Sequence, residues 1–244
     1  MIRHLTRAAA AAACALSLAG CQKASDEAFG QKVHAYLMAH PEVVRDAANK
    51  LAENERIAAA KAATESLGKY RAQLENDPRD YVVNPAGRVT VVEFFDYRCG
   101  YCKLAAPEVV KIMAENPDIR FVFKEFPIFG EVSDSAAKIA LTPQGKTKGL
   151  DLYTGWMAEK ALDEAGIDRH LAQAGLDPKA VRLASNTPEI QRQLLDTRAL
   201  ATAINIEGTP AFIVGDTMIP GADLPALKAA IAAARNRGPV KKQS

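Results

Sequence analysis

Cysteine is scarce in this 244-residue chain, with four residues, and histidine is no commoner. Cys14 and Cys21 lie at the extreme N-terminus, and His4, His34, His40 and His170 are not paired at ligand spacing. A zinc site needs two Cys/His pairs, and only one pair, Cys99 and Cys102, is at hand. There is a single tryptophan, Trp156, which reads as core rather than as a ligand contact. Charge of one sign is lacking as well. Removing Arg3 and Arg7 with an N-terminal leader leaves 29 basic against 29 acidic residues, so no basic field points to nucleic acid as a partner. No apolar run is long enough for a permanent membrane span: the stretch from Ala8 to Ala19 is too short.

That stretch has another reading. Arg3, His4 and Arg7 precede it and Leu18-Ala19-Gly20-Cys21 ends it, as in an export leader. The ending resembles a bacterial lipobox, in which residues 1–20 are removed and Cys21 is lipidated; the alternative is an ordinary secretory signal cleaved nearby. Gln22 after the cysteine directs such lipoproteins to the outer membrane. Both alternatives remove Cys14 and deliver the chain to an oxidising compartment, the bacterial periplasm. With Cys21 lipidated, Cys99 and Cys102 pair with each other or with a substrate.

The chain is organised around residues 90–103. Thr90 to Phe95 is apolar, β-branched and aromatic, as a buried strand requires. Cys99-Gly100-Tyr101-Cys102 follows, and Lys103-Leu104-Ala105-Ala106 continues as a helix. Cys99 therefore falls at a strand-to-helix junction, where free N–H groups and the positive dipole end favour a thiolate. Cys102 is one turn further on, within reach of a small disulfide ring. An inert structural disulfide is the competing reading, but a two-residue spacer constrains the unfolded chain weakly. Glu93 is a second candidate, because a carboxylate inside an apolar strand is costly unless it has a task. Alternation puts it on the face of Val91 and Phe95, beneath the helix. There it either shuttles the proton of Cys102 or pairs with a lysine such as Lys124.

The remaining elements follow in order. Residues 25–39 form a short amphipathic helix, and Pro41 opens a second that runs without internal proline to about Glu75, with Gly68 a flex point. It is too polar to stand alone. One reading is a solvated spacer; the other is an oligomerisation stalk with a seam of Phe29, Val33, Tyr36, Leu37, Val43, Val44, Ala47 and Leu51. Strands are expected at 81–83, 89–95 and 119–125, with a helix over 100–115 kinked at Pro107. The strand–helix–strand succession implies parallel pairing. Residues 133–206 hold only helical patterns: 133–141, 144–164, 168–174, 177–185 and 187–204. A hairpin around Gly215-Asp216 and a last helix from Asp223 follow, ending at Gly238-Pro239. Pro210, at the start of an apolar strand, removes a ladder donor. A cis peptide bond there turns the chain and leaves the backbone at Thr209 open to an extended substrate.

Phe94-Phe95, Cys99-Gly100-Tyr101-Cys102, the helical insertion and Gly208-Thr209-Pro210-Ala211-Phe212 together resemble the DsbA-like branch of the thioredoxin superfamily, over roughly residues 79–236. With the N-terminal helices, including Ala39-His40-Pro41-Glu42-Val43, the chain is most similar to the ScsC proteins, suppressors of copper sensitivity. The resemblance implies an α/β architecture: a thioredoxin fold with an inserted helical domain, after a long N-terminal helical extension. The divisions expected are a lipoprotein-type signal (1–20), a helical stalk (21–77), the two parts of the thioredoxin fold (78–132 and 206–238), the helical insertion (133–205) and a tail (239–244).

It also implies roles. Cys99 attacks, Cys102 resolves, Glu93 moves the proton, Gly100 and Tyr101 set the redox poise, and Thr209 and Pro210 hold the substrate strand. No cofactor beyond the Cys99–Cys102 disulfide and no metal is expected. Partners would be unfolded or misfolded exported proteins and a membrane thiol reductase or oxidase. Some relatives trimerise through such an extension, and Thr before the cis-proline is similar to the bacterial disulfide isomerases. An isomerase or reductase that oligomerises is the leading reading. A monomeric dithiol oxidase and a copper(I)-binding tolerance protein are the alternatives.

Overall fold

The computed structural model describes residues 26–237, apart from the side chains of 56, 59, 60 and 237. The leader expected over 1–20, the lipidation expected at Cys21 and the 239–244 tail lie outside the described residues. The chain divides into two compact units, residues 1–60 and residues 61–244.

In the first unit, helix α1 covers residues 26–39, and α2 (Glu42–Lys69) begins just after Pro41, the residue whose missing N–H a helix start tolerates. Phe29, Tyr36, Val44 and Leu51 are each more than half exposed.

The second unit is built on five strands: β1 (Tyr81–Val83), β2 (Val89–Phe95), β3 (Ile119–Glu125), β4 (Ala211–Val214) and β5 (Thr217–Pro220), in the order β1-β3-β2-β4-β5. β2 and β3 are parallel, joined through α4 (Gly100–Glu115), and the other pairs are antiparallel. The expected bounds of β1, β2 and β3 match. β2 and β3 are buried on both faces, so they read as nearly continuous apolar runs.

The alternation of β2 divides the core in two. Val91 and Phe95 join α4, the insertion and the C-terminal helix α11 (Leu224–Arg237) on one face. Val92 and Phe94 meet Leu67, Leu74, Leu200, Ala201 and Ile204 on the other. The insertion comprises α5 (Glu131–Ala140), α6 (Pro143–Thr147), α7 (Gly149–Ala158), α8 (Glu164–Gln173), α9 (Pro178–Ser185) and α10 (Pro188–Ala203).

Several expectations change here. The helix expected from Pro41 to Glu75 breaks at Tyr70, and the next piece, α3, is only Arg71–Glu75; Gly68 stays helical. The region given to a stalk ends too late: the compact unit starts at Lys61, with Leu67 and Leu74 at 1% and 2% exposure against the sheet. The expected helical insertion is present and packs on both faces of the sheet. α5 and α7 to α9 share the core of α4, whereas α10 crosses to the face of Leu67 and Leu74. Its expected 144–164 helix also splits, because Lys148 leaves helical geometry (φ −122°, ψ 19°) and Glu159 turns extended. Asp163 then starts α8 earlier than expected by accepting the Gly166 N–H at 2.7 Å.

Truncating Leu67 tests the moved boundary. Leu67→Ala opens a cavity in a filled core and is expected to cost about 2–4 kcal/mol of stability in chemical denaturation. A loss below about 0.5 kcal/mol would put residues 61–77 back in the stalk.

Candidate active site

The site begins with a loop held by one carboxylate. Asp96, at the end of β2, accepts hydrogen bonds from the N–H groups of Arg98 (2.7 Å), Ile128 (2.7 Å) and Phe129 (3.1 Å) and from Ser133 Oγ (2.8 Å). The Arg98 guanidinium donates to the Phe129 carbonyl at 2.9 Å. The β2–α4 junction is thereby tied to the β3–α5 loop, fixing where α4 starts.

Cys99 is the N-cap of α4, extended at φ −68° and ψ 121°, and its Sγ accepts the Cys102 N–H at 3.4 Å. A sulfur thus occupies the place of a capping oxygen, at the positive end of a 16-residue helix. Across from it, the Thr209–Pro210 bond is cis, and the Thr209 carbonyl accepts from the Cys99 thiol at 3.2 Å. The Gly221 N–H donates to the Pro210 carbonyl at 2.8 Å, which holds this loop to the end of β5.

The two sulfurs differ in electrostatics far more than in shelter. Cys99 is 2% exposed and Cys102 is fully buried, so the two hardly differ in burial. The Cys99 thiol is lowered to about 5, first by the Cys102 thiol donating to it, with support from Thr209 and the N–H groups of Cys102 and Tyr101, against the opposing effect of burial. Thr209 Oγ1 is nevertheless buried without a partner at hydrogen-bond geometry, so its support is the weaker contribution. Burial and the proton shared with Cys99 push Cys102 far above the usual thiol range. One sulfur is set up as a thiolate and its neighbour as a thiol.

Glu93 lies on the expected face, fully buried beneath α4. Lys124, the lysine considered as its partner, is on the opposite face. In the sheet register Glu93 is paired with Phe123 and Phe94 with Lys124, and the Lys124 ammonium binds Asp80. The group that meets Glu93 is Tyr153 of α7, whose hydroxyl lies 3.2 Å from both Oε1 and Oε2. Burial raises the Glu93 carboxyl to about 8, opposed by the Tyr153 hydrogen bond and reinforced by the Cys99 charge.

Because this pKa is raised, protonation of Glu93 favours the folded state below the ordinary carboxylate range, and that contribution is lost as pH climbs to about 8. Glu93→Gln, neutral at every pH, is expected to stabilise the protein by on the order of 2 kcal/mol at pH 7 and by almost nothing at pH 4.5. Denaturant titrations at the two pH values check this; an equal effect at both would overturn it.

The other sequence candidates sit at the rim. Tyr101 is 67% exposed, and the space that a Gly100 side chain would take is open. Leu104, Ile128 and Phe129 add exposed apolar surface. Trp156 is buried as expected, though its indole N–H has no partner. Tyr97, which donates to buried Glu125 at 2.8 Å, and Tyr153 were not foreseen. The one sequence signal for Tyr153 is its i,i+3 spacing from Trp156, which puts both on one helix face. Among the described residues, no group of three or more His, Cys, Asp and Glu side chains is placed to hold a metal ion.

Comparison with known proteins yields two family matches. The family model described as Thioredoxin matches residues 78–233, and that described as Copper resistance protein ScsC N-terminal domain matches residues 27–60. Among curated relatives, the chain is 30% identical to Na(+)/H(+) antiporter NhaA 1 of Salinispora arenicola, over 65% of this chain and 25% of the antiporter. The chain thus spans only about a quarter of that relative's length. It is 27% identical to the thiol:disulfide interchange protein DsbA of Bordetella parapertussis, over 65% of this chain and 81% of that protein. Among solved structures, a linker-deletion mutant of Proteus mirabilis ScsC matches with a TM-score of 0.70 at 27% identity, covering 80% of this chain and 92% of that one. BcfH of Salmonella enterica Typhimurium matches with a TM-score of 0.70 at 34% identity, covering 87% and 96%.

Proposed function

The chain belongs to the thioredoxin family, with DsbA-like and ScsC-like oxidoreductases among its relatives, and from that premise we propose that it is an exported thiol–disulfide oxidoreductase acting on protein disulfides. The observation that carries this reading is the Cys99 sulfur at the head of α4, receiving the Cys102 N–H and facing the cis Thr209–Pro210 loop.

The chemistry follows from the unequal pair. The Cys99 thiolate attacks one sulfur of a client disulfide, the client S–S bond breaks, and the other client sulfur leaves with the electron pair. Cys102 then gives its proton to the Glu93 carboxylate and attacks Cys99. The Cys99–Cys102 bond forms, the mixed disulfide breaks, and the client departs as a thiolate, two electrons richer. In the reverse direction a client thiolate attacks Cys99, and Glu93 returns the proton to the leaving Cys102 sulfur. The Thr209 backbone beside Cys99 is the position for an extended client strand. Gly100 and Tyr101, between the cysteines, set the contacts of the thiolate.

Within this reading we place the protein as an isomerase or reductase that oligomerises, as a trimer, through its N-terminal helices. Support comes from the ScsC N-terminal match and from the exposed Phe29, Val33, Tyr36, Val43, Val44 and Leu51 on that unit. Its location would be the periplasm, with a lipid on Cys21 tethering it to the outer membrane. A membrane thiol reductase would keep it reduced. The second reading, a monomeric oxidase, is favoured by the low Cys99 pKa, because a stabilised thiolate makes the disulfide a stronger oxidant.

Two measurements decide between them. An isomerase is largely reduced when trapped by acid in the periplasm, and it sediments as an oligomer that Tyr36→Asp with Leu51→Asp dissociates. A largely oxidised monomer in both assays would establish the oxidase. Copper(I) titration of the reduced protein addresses a copper-binding role at the two thiols, ligands of the soft type that this ion prefers.

A further inference from the structure

The structure assigns Tyr153, from the helical insertion, as the positioning residue of the Glu93 proton shuttle, holding the carboxyl toward Cys102 and setting the pH at which it exchanges the proton. This rests on the proposed redox reading, in which Glu93 moves the proton of Cys102.

Glu93 is fully buried, and an ionised carboxylate there must find donors inside the protein. The face it occupies carries Val91, Phe95, Phe121 and Phe123 of the sheet and Ala105 and Ala106 of α4, none with a donor to give. Tyr153 is the one side chain among the described residues that hydrogen-bonds to it, and its hydroxyl is equidistant from the two oxygens. A single proton can therefore serve either oxygen, leaving the other free for exchange with the thiol.

The ring of Tyr153 is fixed independently of this bond. It packs edge-on against Phe95 (centroids 5.4 Å), Phe123 (5.0 Å) and Tyr97 (6.5 Å), and it is 1% exposed. Other titratable groups face this cluster from each packed element: Cys99 and Cys102 from α4, Glu125 from β3 and Tyr97 from the end of β2. Of these, the charge of Cys99 disfavours a carboxylate at Glu93. The Tyr153 hydrogen bond works for it, and so favours the carboxylate form of Glu93 against burial. A consequence is that the insertion, through α7, controls the rate of the dithiol chemistry without touching a client.

The test uses the full chain, with the Glu93 carboxyl followed by carbon-13 NMR. In parallel, the rate at which Cys102 releases a preformed mixed disulfide on Cys99 is followed against pH. Tyr153→Phe keeps the packed ring and removes the hydroxyl. The Glu93 midpoint is expected to rise by about one pH unit, because a hydrogen bond to a charged group is lost. Release is expected to slow about threefold below pH 8, and its pH midpoint to move with the carboxyl. In a Glu93→Gln background the same substitution is expected to leave release unchanged. Site-specific 3-fluorotyrosine at position 153, a stronger donor of nearly the same size, is expected to move the midpoint down, and this arm stands if Tyr153→Phe folds poorly.

A midpoint that neither variant shifts overturns the role of Tyr153. That result differs from failure of the underlying reading, in which Glu93→Gln itself would leave the pH profile of release untouched.

Discussion

Replacing the Cys99 sulfur by oxygen is expected to end activity. Cys99→Ser should lower insulin reduction and the refolding of scrambled ribonuclease by at least about a thousandfold, since no other nucleophile stands at the helix start. The change removes one atom's chemistry and little else. A serine hydroxyl still caps α4, so at pH 5, where the thiolate contributes little, the fold should keep the stability of the reduced protein to within about 1 kcal/mol. Cys102→Ser is expected to behave differently. Cys99 still attacks, but the mixed disulfide with the client has no resolving thiol, so covalent complexes accumulate and vanish on adding a reductant.

Access is the stringent part of this expectation, because Cys99 is 2% exposed. Attack requires the client sulfur to come in over the open side at Gly100, between exposed Tyr101 and the Thr209–Pro210 loop. Reaction with iodoacetamide at pH 6.5 should therefore be fast for Cys99, while Cys102 resists until the protein unfolds. Retained turnover in Cys99→Ser, or a Cys99 that alkylates no faster than a free thiol, would remove the dithiol mechanism.

What was legible in the sequence was the local part of this machine. β2 and β3 stand at the bounds that their apolar runs define, because strands buried on both faces leave no room for polar interruption. The place of Cys99 at a helix start and the cis bond at Pro210 were also readable, each from a residue whose backbone needs are special. The face of Glu93 followed from alternation alone.

Contacts between distant segments were not legible. Glu93 and Tyr153 are 60 residues apart, and nothing in either neighbourhood specifies the other. The boundary at Lys61 is hidden because α2 runs straight through it in alanine-rich sequence with no break in composition. Leu67 and Leu74 show their burial only once a sheet lies beside them. α10 looks like the other helices of the insertion, yet it serves the opposite face of the sheet. Hydropathy reports that a face is buried, not what it is buried against.

The electrostatics of the pair lead to a second large effect, in which reducing the active-site disulfide favours the fold increasingly as pH rises. In the reduced protein the Cys99 pKa is depressed to about 5, against about 8.5 for an unfolded thiol. A depressed pKa gives stability that is fully present above the unfolded value and is lost as pH falls through the folded one. The oxidised protein has no thiolate and gains nothing from this. Its bond closes a very short loop, which restricts the unfolded chain by only about 2 kcal/mol.

The stability of the reduced form relative to the oxidised form should therefore climb between pH 5 and pH 8. The expected rise is on the order of 2 kcal/mol, about half of the full linkage. Glu93 titrates in both forms and cancels to first order. Guanidinium titrations of the two forms at pH 5, 6.5 and 8 measure the difference directly. By thermodynamic linkage the same slope must appear in the reduction potential, which should rise less steeply than that of glutathione as pH falls from 8 toward 5, making the protein a weaker oxidant relative to glutathione at low pH, since Cys99 no longer takes up a proton on reduction. A stability difference that is flat across this range would mean that the helix start does not stabilise the thiolate, and the low pKa, the oxidising tendency and the choice of Cys99 as nucleophile would fall together.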